Sequence, residues 1–329
     1  MRVLVTGGAG FIGSKVAQLL LQNGHEVTVV DTLEYGNAKA VPTGATLVEG
    51  DSGNPQLLDG IFSMAKFDGV IHAAAYKGIA ESQLEPCRFF VNNVGKTLVL
   101  LDRMMAHGIS RIVFTSSVLV YGSPNRPNID ETCPMRPINA YGYTKLQIEQ
   151  SLGWLFRSQG FSSVSLRPFH VAGQSEHVKD GKLFIPLVLN VALGNAPHIK
   201  IFGTDYETKD GTCVRDYTHV DDVARAHVLA LQKLHDSEPP ICTALNVGNK
   251  RGYSVREVIE TARKITGRDI PVIEEPRRSG DAAVLVADCK KIKRELGWEP
   301  ERTELSDIIQ ATWDVMRYGN QLESHGATA

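Results

Sequence analysis

The sequence predicts an α/β protein, a Rossmann-type doubly wound parallel sheet joined to a smaller α+β substrate-binding domain. Three observations lead there. Short β-branched runs alternate with amphipathic stretches through the first half, the pattern of βαβ units. A glycine cluster, Gly7-Gly8-Ala9-Gly10-Phe11-Ile12-Gly13, follows the first apolar run and opens the first amphipathic stretch. After Arg167 the rhythm gives way to Gly/Pro/His-rich loops and shorter strands. At about 150 residues per domain, 329 residues suit one large domain or two ordinary ones. The expected division is residues 1–170 for the sheet half, with 214–247 returning to it, 171–318 for the smaller half and 319–329 as a flexible tail.

The elements follow in order. Arg2 to Thr6 is the first strand, and Phe11 to Asn23 a helix with Phe11, Ile12, Val16, Leu19 and Leu20 at helical spacing, stopped by Gly24. Glu26 to Asp31 is the second strand. Thr46 to Gly50, Gly69 to Ala73, Arg111 to Ser116 and Ser163 to Arg167 extend the series to six, separated by helices near Pro55 to Ala65, Pro86 to His107 and Tyr141 to Gln159. Beyond them, Ile199 to Phe202 reads as a short strand. Lys182 to Leu193, Val220 to Lys233, Ser254 to Thr266 and Glu304 to Tyr318 read as helices. The small, polar tail Gly319 to Ala329 is expected to be poorly ordered.

Charge narrows the partners. Lys+Arg 35 against Asp+Glu 37 gives a net charge of -2, so nothing predicts the electrostatic grip that nucleic acid or an anionic membrane needs. The five cysteines, Cys87, Cys133, Cys213, Cys242 and Cys289, are scattered and never form C-x-x-C, which offers neither a disulfide framework nor a zinc site. That usage suits a reducing, cytoplasmic compartment. Met1-Arg2 runs straight into the apolar strand, leaving no room for a signal peptide. No run approaches the roughly 18 apolar residues of a membrane span.

The glycine cluster reads as G-x-G-x-x-G from Gly8 or as G-x-x-G-x-x-G from Gly7. Either reading puts glycines where strand turns sharply into helix, where backbone must approach a pyrophosphate, and where the helix packs on the sheet. The alternative is a tight turn with no ligand. Asp31, at the end of the second strand, is placed to accept from ribose hydroxyls and to repel a 2′-phosphate, favouring NAD over NADP. Its alternative is an exposed loop carboxylate.

Tyr141-Gly142-Tyr143-Thr144-Lys145 opens a helix, and the i, i+4 spacing places Tyr141 and Lys145 on one face. An ammonium there favours a phenolate, as a general base requires. A surface Tyr-Lys pair is the plain alternative. Thr115-Ser116-Ser117 strengthens the first reading, because it ends the fifth strand, where open α/β sheets hold their ligands. His72 and His219 have no Cys or carboxylate partners at metal spacing and are read as structural; no metal is expected.

With these residues in view, the sequence resembles the extended short-chain dehydrogenase/reductase family from Val3 to about Pro300, and within it the nucleotide-sugar epimerases. The most specific stretch is Ile201-Phe202-Gly203-Thr204-Asp205-Tyr206 through Asp210-Gly211-Thr212 to Val214-Arg215-Asp216-Tyr217-Thr218-His219-Val220. Val70 to Ala75, Asn92-Asn93-Val94, Val120-Tyr121-Gly122 and Arg278-Ser279-Gly280-Asp281 match as well. The resemblance implies Ser117 as the catalytic hydroxyl, Tyr141 as the base and Lys145 as the residue that binds the nicotinamide ribose and tunes the base. Around NAD it implies Gly7, Gly10, Phe11, Ile12 and Gly13 on the pyrophosphate side and Asp31, Asp51 and Ser52 near the adenosine. Ala73, Ala74, Ala75 and Lys77 run along the dinucleotide, with Asn92 and Phe169 nearby. For a UDP-sugar it implies Ser117, His170, Phe202, Arg215, Arg278 and Asp281, two arginines suiting a diphosphate.

The implied reaction is reversible C4 epimerisation of a UDP-hexose of the glucose/galactose type, through a 4-keto intermediate with tightly bound NAD. Val118 and Leu119 stand where water- or carbon dioxide-eliminating relatives carry an acid, so those chemistries are disfavoured. A regulatory module that keeps the fold and NAD without the chemistry is the reading from another class. His170 stands in place of a usual asparagine, Pro168 of a tyrosine, Leu183 of a second asparagine, and Leu285 at a position that limits space around the sugar. These departures leave an N-acetylhexosamine, a uronic acid or a pentose open as the sugar. The helices at Pro86 to His107 and Tyr141 to Gln159 form a homodimer contact in this family. Leu98, Leu100, Leu101 and Met105 give the first an apolar side, which either serves that contact or packs on the sheet.

Overall fold

The computed structural model describes residues 1–124, 126, 128–173, 183–278 and 281–326, with the side chains of 319–326 left out of the description. In chain order the first part runs β1 (Arg2–Thr6), α1 (Phe11–Gln22), β2 (Glu26–Asp31), β3 (Thr46–Glu49), α2 (Pro55–Met64), β4 (Gly69–His72), α3 (Ile79–Leu84), α4 (Pro86–Phe89), α5 (Lys96–Ala106), β5 (Arg111–Thr115), α6 (Ala140–Gln159) and β6 (Ser162–Pro168). The second runs β7 (His170–Ala172), α7 (Phe184–Ala192), β8 (Ile199–Phe202), β9 (Val214–His219), α8 (Val220–Asp236), β10 (Cys242–Val247), β11 (Gly252–Ser254), α9 (Val255–Thr266), β12 (Val272–Glu275), β13 (Val284–Leu285), α10 (Lys290–Leu296) and α11 (Leu305–Gly326).

A parallel seven-stranded sheet organises the first part, in the order β10-β6-β5-β4-β1-β2-β3. Its inner strands are apolar on both faces, with Val5, Ile71 and Val113 on one and Leu4, Val70 and Ile112 on the other, all 0% exposed, as a parallel sheet covered by helices requires. The seventh strand comes from far along the chain, because Cys242–Val247 pairs with Ser163–Pro168. The strand order reverses between β1 and β4, and the carboxyl ends of those strands flank a crevice.

The second part has a separate apolar cluster, with Ile185, Val188 and Leu189 of α7, Val258 and Ile259 of α9, and Ile308, Ile309 and Trp313 of α11 packed round Tyr217. A small sheet, β11-β9-β13, also pairs β9 with β7, while β8 pairs β12. α9 is stopped at both ends as its sequence dictates: Ser254 and Glu257 form a reciprocal capping box, and Gly267 closes the helix with a φ of 63°.

Two expectations are corrected. The single helix over Pro86 to His107 is three pieces, α4, a π-helical turn over Phe90–Gly95, and α5. A π-turn takes in an extra residue, so the side chains after it rotate relative to one continuous α-helix. Leu100 and Leu101 accordingly join the sheet core beside Phe62 and Val70, leaving Leu98 exposed. The helix expected to end at Tyr318 runs on to Gly326, so the tail is helical there; Gly319 lowers helix propensity by only about 1 kcal/mol. Residues 327–329 lie outside the description, as does Lys182 at the expected start of α7.

Candidate active site

The glycine turn between β1 and α1 is closed by sterics. Gly7 has a φ of 70°, and a Cβ there would sit 2.6 Å from the Ala74 amide nitrogen; one on Gly13 would sit 2.1 Å from the Gly7 carbonyl oxygen. α1 begins with Gly10 as its N-cap and no capping side chain, so its first amides are left for an anion. Asp31 buttresses the turn, its carboxylate accepting from the Ala9 amide at 3.0 Å and the Leu33 amide at 2.9 Å. These features fit a dinucleotide with its pyrophosphate on the turn.

A cavity of about 700 Å³ opens above this turn. Every cofactor residue expected from the sequence lines it: Gly7, Gly10, Phe11, Ile12, Gly13, Asp31, Asp51, Ser52, Ala73, Ala74, Ala75, Lys77, Asn92 and Phe169. Ser117, Tyr141, Lys145 and His170 line it as well. Asp51 is held to Lys96 at 2.6 Å, and Lys96 also reaches the cavity.

At the far end of the cavity, α6 lies across the end of β5. Asn139 caps α6 through the Gly142 amide and sets where Tyr141 falls. Ser117 accepts from the Leu119 amide at 3.2 Å, which leaves its own proton for the Tyr141 oxygen, and that hydrogen bond favours the phenolate. Burial outweighs it and pushes Tyr141 up to about 12. Lys145 is 2% exposed, donates to the Thr115 carbonyl at 2.8 Å, and has Nζ 5.8 Å from the Tyr141 ring centroid. Burial pushes Lys145 down to about 7, opposed by the Glu149 carboxylate one turn on. The expected ammonium effect on Tyr141 is thus present in placement and outweighed by desolvation of both groups.

The sequence reading missed a clamp. The Asn93 side-chain oxygen accepts from the Tyr76 amide at 2.8 Å, and its nitrogen donates to the Tyr76 carbonyl at 3.0 Å and to Thr144 Oγ1 at 3.1 Å. Asn93 thereby ties the Ala73–Lys77 wall to the helix that carries Tyr141. Asn92-Asn93 was the visible signal, but only the π-turn shows that the second asparagine turns inward. His72 is hydrogen-bonded to Thr6 at 2.6 Å and to Thr97 at 2.8 Å, and burial pushes it down to about 3. His219 accepts from the Asp221 amide and caps α8.

The remaining substrate residues form a cluster of their own. The Arg278 guanidinium lies 3.6 Å from the Phe202 ring centroid, and Arg215 meets Asp281 at 3.7 Å. The structure brings these four near one another without placing them, or Leu285, on the cavity wall. His170 connects the two groups, because it lines the cavity while burial, and after it the Arg215 charge, push it down to about 3. Its Nδ1 is buried without a hydrogen-bond partner among the described residues, and its ring packs edgewise on Tyr217 at 6.0 Å. Pro168 and Leu183 line the cavity as well. Ser279 and Gly280 of the motif around Arg278 lie outside the described residues.

The family model described as "NAD dependent epimerase/dehydratase family" matches residues 3–248. UDP-glucose 4-epimerase of Corynebacterium glutamicum is 43% identical over 317 residues, 95% of each chain, and that of Halalkalibacterium halodurans is 42% identical over 320 residues, with the same coverage. Among solved structures, UDP-glucose-4-epimerase from Stenotrophomonas maltophila with bound NAD and formylated UDP-arabinopyranose superposes with a TM-score of 0.93. It is 37% identical, over 98% of this chain and 99% of that one.

Proposed function

The chain belongs to the NAD-dependent epimerase/dehydratase family, and we propose that Ser117, Tyr141 and Lys145 carry out its reaction. That reaction is reversible C4 epimerisation of a UDP-hexose through a 4-keto intermediate; the enzyme is an NAD-dependent nucleotide-sugar 4-epimerase. Bound NAD supplies the hydride acceptor and donor. The Tyr141 oxygen takes the proton of the sugar 4-hydroxyl and later returns it, with Ser117 sharing the hydrogen bond. Lys145 would hold a ribose hydroxyl, and its cation favours the phenolate. Asp31 would accept from the adenosine ribose, Lys77 would offset phosphate charge, and the amides of α1, which has no side-chain cap, would be available to the pyrophosphate.

The observation that carries this reading is that Ser117, Tyr141 and Lys145 share one cavity with the glycine turn. Arg215 and Arg278 suit the nucleotide diphosphate, with Phe202, Asp281 and His170 beside them. Another UDP-sugar, an N-acetylhexosamine, a uronic acid or a pentose, is favoured by one feature, the presence of His170 and Leu183 on the cavity wall. A homodimer is supported by exposed apolar side chains on the two helical stretches expected to form it, where Val91, Leu98, Tyr143 and Trp154 are 67%, 45%, 47% and 68% exposed. No helix among the described residues is long and apolar enough to cross a membrane. Cysteines that are all free favour the cytoplasm.

The test is Tyr141→Phe, read by NMR of C4 interconversion across a panel of UDP-sugars. Turnover is expected to fall by about 10³-fold, within the range of general acid–base catalysis, with bound NAD retained. Near-normal turnover would remove Tyr141 as the base.

A further inference from the structure

Successive turns of α6 dock onto three consecutive residues at the end of β5. Tyr141 bonds Ser117, Lys145 bonds the Thr115 carbonyl, and Glu149 accepts from the Ser116 hydroxyl between them. Behind Glu149 lies Arg167 of β6, whose Nε and Nη2 both donate to the same carboxylate, Nε at 3.0 Å. The third guanidinium nitrogen donates to the Tyr121 hydroxyl, which donates to Asn246 of β10. The side chains of Glu149 and Arg167 are 7% and 4% exposed. A buried ion pair adds little net stability, because desolvation cancels most of the attraction. Stability therefore gives a weak reason for a carboxylate beside a catalytic strand end, and its contacts suggest another.

We propose that Glu149 is a positioning residue of the epimerase: anchored by Arg167, it holds the Ser116 end of β5 and keeps the Lys145 ammonium charged beside Tyr141. This rests on the assignment of Tyr141 and Lys145. The titratable and charged groups facing Lys145 are Tyr141 and Glu149 on its own helix and His72 on β4. Burial keeps His72 neutral, so Glu149 is the one anion in that set. Glu149 in turn faces Lys145, Ser116 and Arg167, with Tyr121 behind the guanidinium. Without the carboxylate, the uncompensated Arg167 cation and burial act together against the ammonium.

Glu149→Gln keeps an oxygen for Ser116 and Arg167 and removes the charge. Turnover per bound NAD is expected to lose activity at lower pH than the native enzyme, the alkaline limb of the kcat profile moving down by about one unit, a tenfold change in proton affinity. Ser116→Ala releases the strand end with all charges kept, and should lower kcat several-fold without moving that limb. If Glu149→Gln fails to fold, Glu149→Gln combined with Arg167→Met removes the unpaired guanidinium as well, and the limb is then expected to move in the same direction by a smaller amount. A native alkaline limb in the folded Glu149 variant overturns the proposal. Tyr141→Phe separates the failures: if it stays active, the base is misassigned. If it is inactive and the Glu149 limb has not moved, only the role of Glu149 falls.

Discussion

The wall that faces NAD and the cluster expected to hold the nucleotide sugar are built on different physical terms. Around NAD, main chain does most of the work: the glycine turn leaves no room for a Cβ, Asp31 is bound to two backbone amides, and Asn93 grips both polar groups of Tyr76. Around the sugar, side chains meet side chains. Arg278 rests on Phe202, Arg215 reaches Asp281, and the buried His170 Nδ1 and Tyr206 hydroxyl have no partner among the described residues. A site closed by backbone suits a cofactor that stays through every turnover. One held by rotatable side chains suits a substrate that must enter, turn its other face and leave.

Three measurements would break or sharpen that contrast. The largest effect belongs to Gly13→Ala, whose added methyl collides with the Gly7 carbonyl. Moving backbone there should strip NAD from the purified protein and abolish turnover; NAD retained at native stoichiometry would show that the turn yields. Arg278→Ala removes one cation from the second cluster and nothing from the first. KM for the UDP-sugar should rise about tenfold, the weight of one charge-assisted contact, with kcat and bound NAD nearly unchanged. A fall in kcat alone would place Arg278 on the catalytic side instead.

The smallest effect is in stability. His227, between Thr115 and the Val223 carbonyl, is pushed by burial from 6.5 down to about 4. The unfolded chain therefore binds a proton that the folded chain refuses, so stability is full above 6.5 and drains away as pH falls toward 4. His227→Gln should flatten that acid slope by up to about 1.4 kcal/mol per pH unit, read from urea midpoints of the NAD-bound protein at several pH values. An unchanged slope would mean that the ring takes up its proton in the folded state.

What could be read in the chain was whatever depends on near neighbours. The strand–turn–helix glycines, Asp31 at a strand end, and Tyr141 and Lys145 one turn apart are all local patterns, and Gly7, Gly10, Gly13, Asp31, Tyr141 and Lys145 line the cavity. The resemblance added Ser117 and the residues along NAD in the same way. The partners that orient them stayed hidden because they meet across long separations: Asn93 with Thr144, 51 residues apart, and Glu149 with Ser116, 33 apart. Asn93 and Glu149 have no spacing rule of their own. The π-turn at Phe90–Gly95 was equally illegible, since its apolar residues also satisfy an ordinary helix.

By itself, then, the sequence determined the class of fold and the cofactor and singled out the side chains proposed to react, because short-range geometry and residue chemistry decide those. Only the tertiary structure decided that β10 would complete the sheet and that Leu100 would be buried while Leu98 was exposed. It also decided how closely Tyr141 and Lys145 would be surrounded, so that desolvation overrides their attraction. Desolvation is a property of everything packed around a group, and no window of neighbouring residues contains it.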